Sequence, residues 1–255
     1  MKNRITLRRL IVCLLAIVAA IVTIGIIRYT AGPVLQEILL DADASFWPFT
    51  VQNIMWVALF IGFGELFLRW SAASDEQSQL KRGYLPTKDE TLDMALLGKI
   101  KDSIVSRRFG REAFLPRMIT RTIDQYRMSG KEDQAISVLN SSLELYMHEI
   151  DLRYSILRYL TWLIPSLGFI GTVMGIMFAL QYAGVAANAE GDDFLYEVTS
   201  RLGVAFTTTL VALVMSAILV LIQSIVQSKE ERALNEAGQY CLDNLILRLG
   251  RETKA

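Results

Sequence analysis

The chain has 255 residues, 53% of them hydrophobic, and its 26 Lys and Arg are matched by 26 Asp and Glu. The charge balance argues against a nucleic-acid partner, and the apolar excess with a positive mean hydropathy argues against an ordinary soluble domain. What remains is an all-α integral membrane protein, with four transmembrane helices and long cytoplasmic helical extensions.

Residues 1–9 read as a cytoplasmic N-terminus and 10–28 as the first transmembrane helix. Leu10 to Ile27 is an uncharged run of eighteen residues behind Lys2, Arg4, Arg8 and Arg9, long enough to span a bilayer. A cleaved signal peptide is the competing reading, but Arg28-Tyr29 stands where a small-residue cleavage site would be needed, which favours a retained span. Residues 29–50 carry Glu37, Asp41 and Asp43 and no Lys or Arg, the signature of a periplasmic loop under the positive-inside rule. Phe46, Trp47 and Phe49 mark an interface, and the second transmembrane helix occupies 51–70, closing on Arg69-Trp70. Glu65 is its interior acid. It lies one turn from Arg69, so a local ion pair is expected there rather than a proton relay.

Residues 71–158 hold fourteen Lys/Arg against thirteen Asp/Glu, which predicts a soluble, near-neutral cytoplasmic helical segment. Thr87 to Glu90, after Pro86, has the spacing of a capping box and predicts a helix running to about Phe109 and stopping at Gly110. A second helix is expected from about Pro116 to Met128, ending at Ser129-Gly130. Arg107, Arg108, Arg111, Arg117 and Arg121 read as a solvated basic face near anionic headgroups rather than a docking site. From Glu132 onward Ile136, Leu139, Leu143, Tyr146, Ile150, Leu157 and Leu160 recur at helical spacing with no Gly or Pro before Pro165. One continuous helix is therefore expected to rise from the cytoplasm into the third span. His148, on that helix, is the sole histidine and reads as a structural residue.

The third transmembrane helix, 159–184, carries Thr161, Pro165, Gly168, Thr172, Gly175 and Ala179 at alternating steps of four and three, which places all six on one side. Such a side suits helices rather than lipid, because small residues let backbones approach and hydroxyls face a neighbour. Residues 185–200, with Glu190, Asp192, Asp193 and Glu197 and no Lys or Arg, read as a second periplasmic loop, and Glu197 is one turn from Arg201. The fourth transmembrane helix, 201–227, repeats the pattern with Ala205, Thr209, Ala212, Ser216 and Gln223. Of the three consecutive threonines only Thr209 lies on this seam, since neighbours are turned about 100° from one another; Thr208 and Thr207 fall on more apolar stripes. Residues 228–255 form a C-terminal cytoplasmic helix with an apolar stripe of Leu234, Cys241, Leu245 and Leu249 around Gly238, ending at Gly250. Cys13 and Cys241 lie in settings too different to pair.

Gly171-Thr172-Val173-Met174-Gly175-Ile176-Met177, followed after the acidic loop by Ala205-Phe206-Thr207-Thr208-Thr209-Leu210-Val211-Ala212-Leu213, resembles the two pore helices of the MotA/TolQ/ExbB ion-channel family. The likeness covers roughly residues 158–227. It implies an ion pathway at Thr172 and Thr209, which match the family threonines that face a membrane aspartate on a partner subunit. Pro165, Gly168, Gly171, Gly175, Ala205, Ala212 and Ser216 would then pack the pore helices. The resemblance further implies self-association, five copies in the expected ring, around a dimer of a single-span subunit like ExbD, TolR or MotB. It places the chain in the bacterial inner membrane, both termini cytoplasmic, as the channel-forming subunit of an ion-driven motor. Proton is the expected ion; sodium is the alternative, since hydroxyl oxygens can replace part of its hydration shell. Ala212 and Ile218 stand where the envelope-energising members carry Gly and Pro.

The residues themselves set limits on the chemistry. There is no Gly-x4-Gly-Lys-Ser/Thr loop, no His-Glu-x-x-His and no cysteine pair at metal spacing, so neither an enzyme nor a bound cofactor or metal is expected. Neither seam contains an ionisable group, and threonine does not titrate usefully, so a proton channel built from this chain needs an acid from elsewhere. A non-conducting helical scaffold that recruits cytoplasmic partners is the alternative from a different class. A small-solute transporter would need a midplane site and internal repeats, and neither is present.

Overall fold

The computed structural model describes residues 2–41, 47–86, 92–106, 113–185 and 192–249, and none of these is in a strand. The helices are α1 (Lys2–Thr30), α2 (Pro33–Leu40), α3 (Val51–Leu80), α4 (Met94–Ser106), α5 (Phe114–Ser129), α6 (Glu132–Arg153), α7 (Ser155–Val185) and α8 (Asp192–Asn244), followed by a 3₁₀ turn at Ile246–Arg248. Among the described residues four helical stretches are long and apolar enough to cross a membrane: Leu7–Thr30, Val51–Leu80, Glu132–Val185 and Phe194–Arg248. The all-α, multi-pass expectation holds. The chain divides into two compact units, one of Met1–Leu68 with Ile156–Ser224 and one of Arg69–Ser155 with Ile225–Ala255.

In the first unit, α1 offers a buried edge of Ala16 and Ala20 and otherwise exposes large apolar side chains such as Leu14, Leu15, Ile21 and Val22. A helix apolar all round is stable only in an apolar surround, which a bilayer supplies. It meets α3 at Gly64, where an added Cβ would lie 3.2 Å from both Ala16 and Val12. Arg9 of α1 donates to Glu65 of α3 at 2.8 Å. This cation, 56 residues away in sequence, is one that a search along the helix of Glu65 does not consider. At the other end of α3, Thr50 caps the helix by accepting the Asn53 N–H at 3.2 Å and donates to the Leu40 carbonyl at 2.9 Å. Trp56 Nε1 donates to Leu39 at 3.0 Å, so the start of α3 is tied to the end of α2 twice.

The second unit is a helical cluster of ordinary globular character. Leu97, Ile100 and Ile104 of α4 meet a buried face of α5 that includes Leu115, Met118, Ile119 and Ile123. Phe114 stacks on Tyr146 of α6 with ring centroids 5.3 Å apart, and the Arg117 guanidinium lies over the Tyr146 ring, 4.3 Å from its centroid. The α5 helix stops as its sequence requires: Gly130 takes a left-handed φ of 64° and returns its N–H to Tyr126. The expected C-terminal stripe is also packed inward, with Leu234, Cys241, Leu245 and Leu249 all buried. Burial pushes the Cys241 thiol up to about 12, which leaves it a packing group rather than a nucleophile.

Several expected boundaries move. The long rising helix is interrupted at Tyr154, which ends α6 with φ −88° and ψ 0° and donates its N–H to both Asp151 and Leu152. Its ring is fully buried and its hydroxyl donates to Glu230 at 3.1 Å, a tertiary demand that local periodicity does not register. The described part of residues 185–200 is helical from Asp192, and α8 ends at Asn244 rather than near Gly250. The capping-box residues Thr87 to Glu90 and the basic residues Arg107, Arg108 and Arg111 lie outside the described residues; α4 begins at Met94, whose N–H the Asp93 carboxylate accepts at 2.6 Å.

Glu76 lies beyond the apolar part of α3 and accepts the Phe114 N–H at the start of α5 at 2.8 Å. Burial pushes its carboxyl up from the usual 4.5 to about 7, opposed by the Phe114 N–H, Arg153 and Arg117 and assisted by the charge of Glu230. Between these two values the folded chain keeps a proton that the unfolded chain has released. Stability therefore falls as pH rises through that window, by on the order of 3 kcal/mol. Glu76→Gln keeps an acceptor for Phe114 and removes the charge. Its thermal unfolding midpoint is expected above wild type at pH 8 and close to it at pH 4; a lower midpoint at pH 8 would contradict the assignment.

Candidate ion-pathway site

The two seams face each other, antiparallel, within the first unit. Gly168 of α7 lies against Ala212 of α8, so closely that an added Cβ would collide with the alanine methyl, and at Gly175 an added Cβ would lie 2.6 Å from that of Ala205. Ala205 and Ala212 are fully buried. These contacts bring the backbones together at two levels separated by two helical turns, and Thr172 and Thr209 meet between them. Gly171 is displaced from the seam and serves a different contact: its bare backbone receives the methyl of Thr208.

The threonine pair is bonded crosswise. Thr172 Oγ1 donates to the Ala205 carbonyl of the opposite helix at 3.0 Å, and Thr209 Oγ1 donates to the Gly168 carbonyl at 3.0 Å. Gly168 and Ala205 are each one turn before a threonine, so each hydroxyl reaches the carbonyl that the other would use in its own helix. Thr172 also lies 3.2 Å from its own Gly168 carbonyl, and the two hydroxyls are in direct hydrogen-bond contact. Both side chains are only half-buried. Two hydroxyl protons thus choose among two carbonyls and two hydroxyl oxygens, and every one of these groups is uncharged. Such a pair can turn to donate to an anion or present lone pairs to a cation, but it cannot by itself take up a proton near neutral pH.

One turn structure elsewhere in the seam follows from Pro165, which sits inside α7 without interrupting it. Proline has no N–H, so the carbonyl of Thr161 loses its helical partner. Ser216 of α8 donates to that carbonyl at 3.1 Å. The two seam residues therefore act as one device, in which the helix defect on α7 is satisfied from α8.

A family description matching residues 110–238 is that of the MotA/TolQ/ExbB proton channel family. The chain belongs to this family. No curated protein and no solved structure matches it. The family match includes Thr172, Thr209 and the whole of the facing seams, while α1 and the apolar part of α3 precede it. Membership makes this a multi-pass membrane protein of a channel family. Among the described residues no group of three or more His, Cys, Asp or Glu is placed to hold a metal ion.

Two site residues escaped the sequence reading. Thr208, placed on an apolar stripe, is the most buried of the three threonines at 2% exposure. Its hydroxyl donates to the Val204 carbonyl at 2.8 Å and accepts from Gln52 Nε2 of α3 at 3.1 Å. Gln52 is 1% exposed, yet as a polar residue at the start of a span it resembles any interfacial glutamine. Its signal is only that a polar residue follows Val51 with no compensating charge nearby, which is too weak to single it out.

The Pro165–Ser216 device can be tested by a double-mutant cycle on thermal stability in a lipid environment. Ser216→Ala is expected to cost about 1 kcal/mol in the native background, the usual worth of such a bond, and much less beside Pro165→Ala, where an N–H is restored to Thr161. Equal costs in both backgrounds would contradict it.

Proposed function

We propose that this chain is the channel-forming subunit of an ion-driven inner-membrane motor, which converts ion motive force into mechanical work through a single-span partner bearing a membrane carboxylate. The observation that carries this reading is the threonine pair: two half-buried hydroxyls at the tightest contact of the pore helices, with no ionisable group among their partners. Ion transfer across a bilayer needs a titratable or charged group, and the pair is suited to orient one that arrives from outside the chain. Five copies would surround a dimer of the partner. Protonation of its carboxylate would weaken the contact with Thr172 and Thr209, and deprotonation would restore it, so each passing proton would move one ring against the other.

On this reading the acidic loops 29–50 and 185–200 face the periplasm, both termini are cytoplasmic, and the charged second unit lies on the cytoplasmic side. Glu197 pairs with Arg201 at 2.7 Å, and Arg201 covers Tyr182 at 4.9 Å, which leaves that cation engaged rather than set across the pore mouth. Family membership supports the proton as the carried ion.

Thr172→Val and Thr209→Val each keep the branched shape and remove a hydroxyl. The complex is expected to assemble, while ion-driven activity falls roughly 10- to 100-fold, the equivalent of a lost bond to a charged group; Thr209→Ser should remain active. If both valine variants assemble and work at the wild-type rate, the pair is merely structural and the chain is a scaffold.

A further inference from the structure

Thr208 and Thr209 are consecutive on α8 and project about 100° apart, so whatever holds one sets the direction of the other. Thr208 stands at a junction of three helices. Its methyl rests on the bare backbone of Gly171 of α7, its proton is committed to Val204 of its own helix, and its oxygen receives the amide of Gln52 from α3. A fully buried glutamine is costly in an apolar unit unless its amide is bonded, so its presence calls for a specific role.

Gln52 is itself held firmly. It lies in the first turn of α3, two residues after the Thr50 cap that is tied to Leu40, and one turn before Trp56, which is tied to Leu39. Asn53 adds a bond from Nδ2 to the Pro48 carbonyl at 2.8 Å. The donor is thus fixed by the α2–α3 corner. On the adjoining face of α8, the crossed bonds of Thr172 and Thr209 fix its register along α7, and a rotation of α8 about its own axis would carry both Thr208 and Thr209 away from their partners.

We propose that Gln52 is a positioning residue for the ion pathway: through its bond to Thr208 it acts as a rotational stop on α8 and sets the angle at which the Thr209 hydroxyl is presented. This rests on the reading of Thr209 as the group that meets a partner's carboxylate. A hydroxyl that donates to a carboxylate favours its ionised form. Misdirecting Thr209 therefore raises the pH at which the assembled complex takes up its proton, in addition to slowing turnover.

The test uses the full chain assembled with its native partner subunit, and reads complex yield, ion-driven turnover and the pH midpoint of proton uptake for Gln52→Leu, Thr208→Val, the double variant and Thr208→Ser. Gln52→Leu and Thr208→Val are each expected to lower turnover by about tenfold and to move the midpoint upward by about one pH unit, with normal yield. The double variant should be no worse than either single one, because both remove the same bond, and Thr208→Ser, which keeps the acceptor, should stay within about twofold of wild type. If Gln52→Leu fails to assemble, the comparison of Thr208→Val with Thr208→Ser decides: loss in Thr208→Val alone supports the bond to Gln52, while loss in Thr208→Ser alone, or equal loss in both, means that the methyl on Gly171 rather than the bond sets the position, which overturns the proposal. Multiplicative losses in the double variant, or lower turnover with an unmoved midpoint, also overturn it. Thr209→Val separates the two levels. If it lowers activity while Gln52→Leu and Thr208→Val leave both turnover and midpoint at the wild-type values, the positioning role is wrong and the ion-pathway reading survives; if Thr209→Val is itself fully active, both fall.

Discussion

Everything in the first unit depends on how closely α7 and α8 approach, because a hydroxyl reaches a carbonyl on another helix only when the backbones are nearly in contact. Gly168 against Ala212 and Gly175 against Ala205 create that approach, and the crossed bonds of Thr172 and Thr209 exploit it. In a bilayer there is no hydrophobic gain from bringing two apolar helices together, so close packing and interhelical hydrogen bonds supply the association instead. A side chain larger than hydrogen at Gly168 or Gly175 separates the helices and removes the bonds with them. The Ser216 bond to the carbonyl freed by Pro165 extends the same arrangement one level further along the seam.

The same interaction explains why the chain, taken alone, is chemically quiet. Its most distinctive polar contact satisfies itself with backbone carbonyls and carries no charge. Burying an ionisable group at that depth in every copy would impose a large desolvation cost on the isolated subunit. A neutral hydroxyl pair avoids that cost and, on the proposed reading, still offers directional donors to an anion supplied by a partner. This is the physical sense in which a channel-family subunit can line an ion path without containing the group that carries the ion.

Much of this was legible in the sequence because it is periodic. Steps of three and four place Gly168, Thr172 and Gly175 together on α7, and Ala205, Thr209, Ala212 and Ser216 together on α8, and the structure brings these two sets into contact. The Gly130 stop of α5 and the Glu197–Arg201 pair are likewise local and were readable. What was not legible is long-range. Gln52 meets a residue 156 positions away, and Arg9 meets Glu65 across 56. Neither pairing leaves a trace in spacing along one helix. The break at Tyr154 is similar: the residues around it are good helix formers, and the bond of its hydroxyl to Glu230, 76 positions away, lies outside the local pattern. Thr208 lies on the apolar stripe that its spacing indicates, and only its bond to Gln52 of another helix could not be read there.

The central claim is that the threonine pair is completed by an acid from another chain. The most direct measurement is the native mass of the complex released gently from its own membrane, with each chain in it identified. Several copies of this chain, five in the expected ring, with two copies of a small single-span protein carrying one membrane carboxylate, is the predicted result. A monomer or simple dimer with no such partner would contradict it and leave the facing seams as a means of holding helices together.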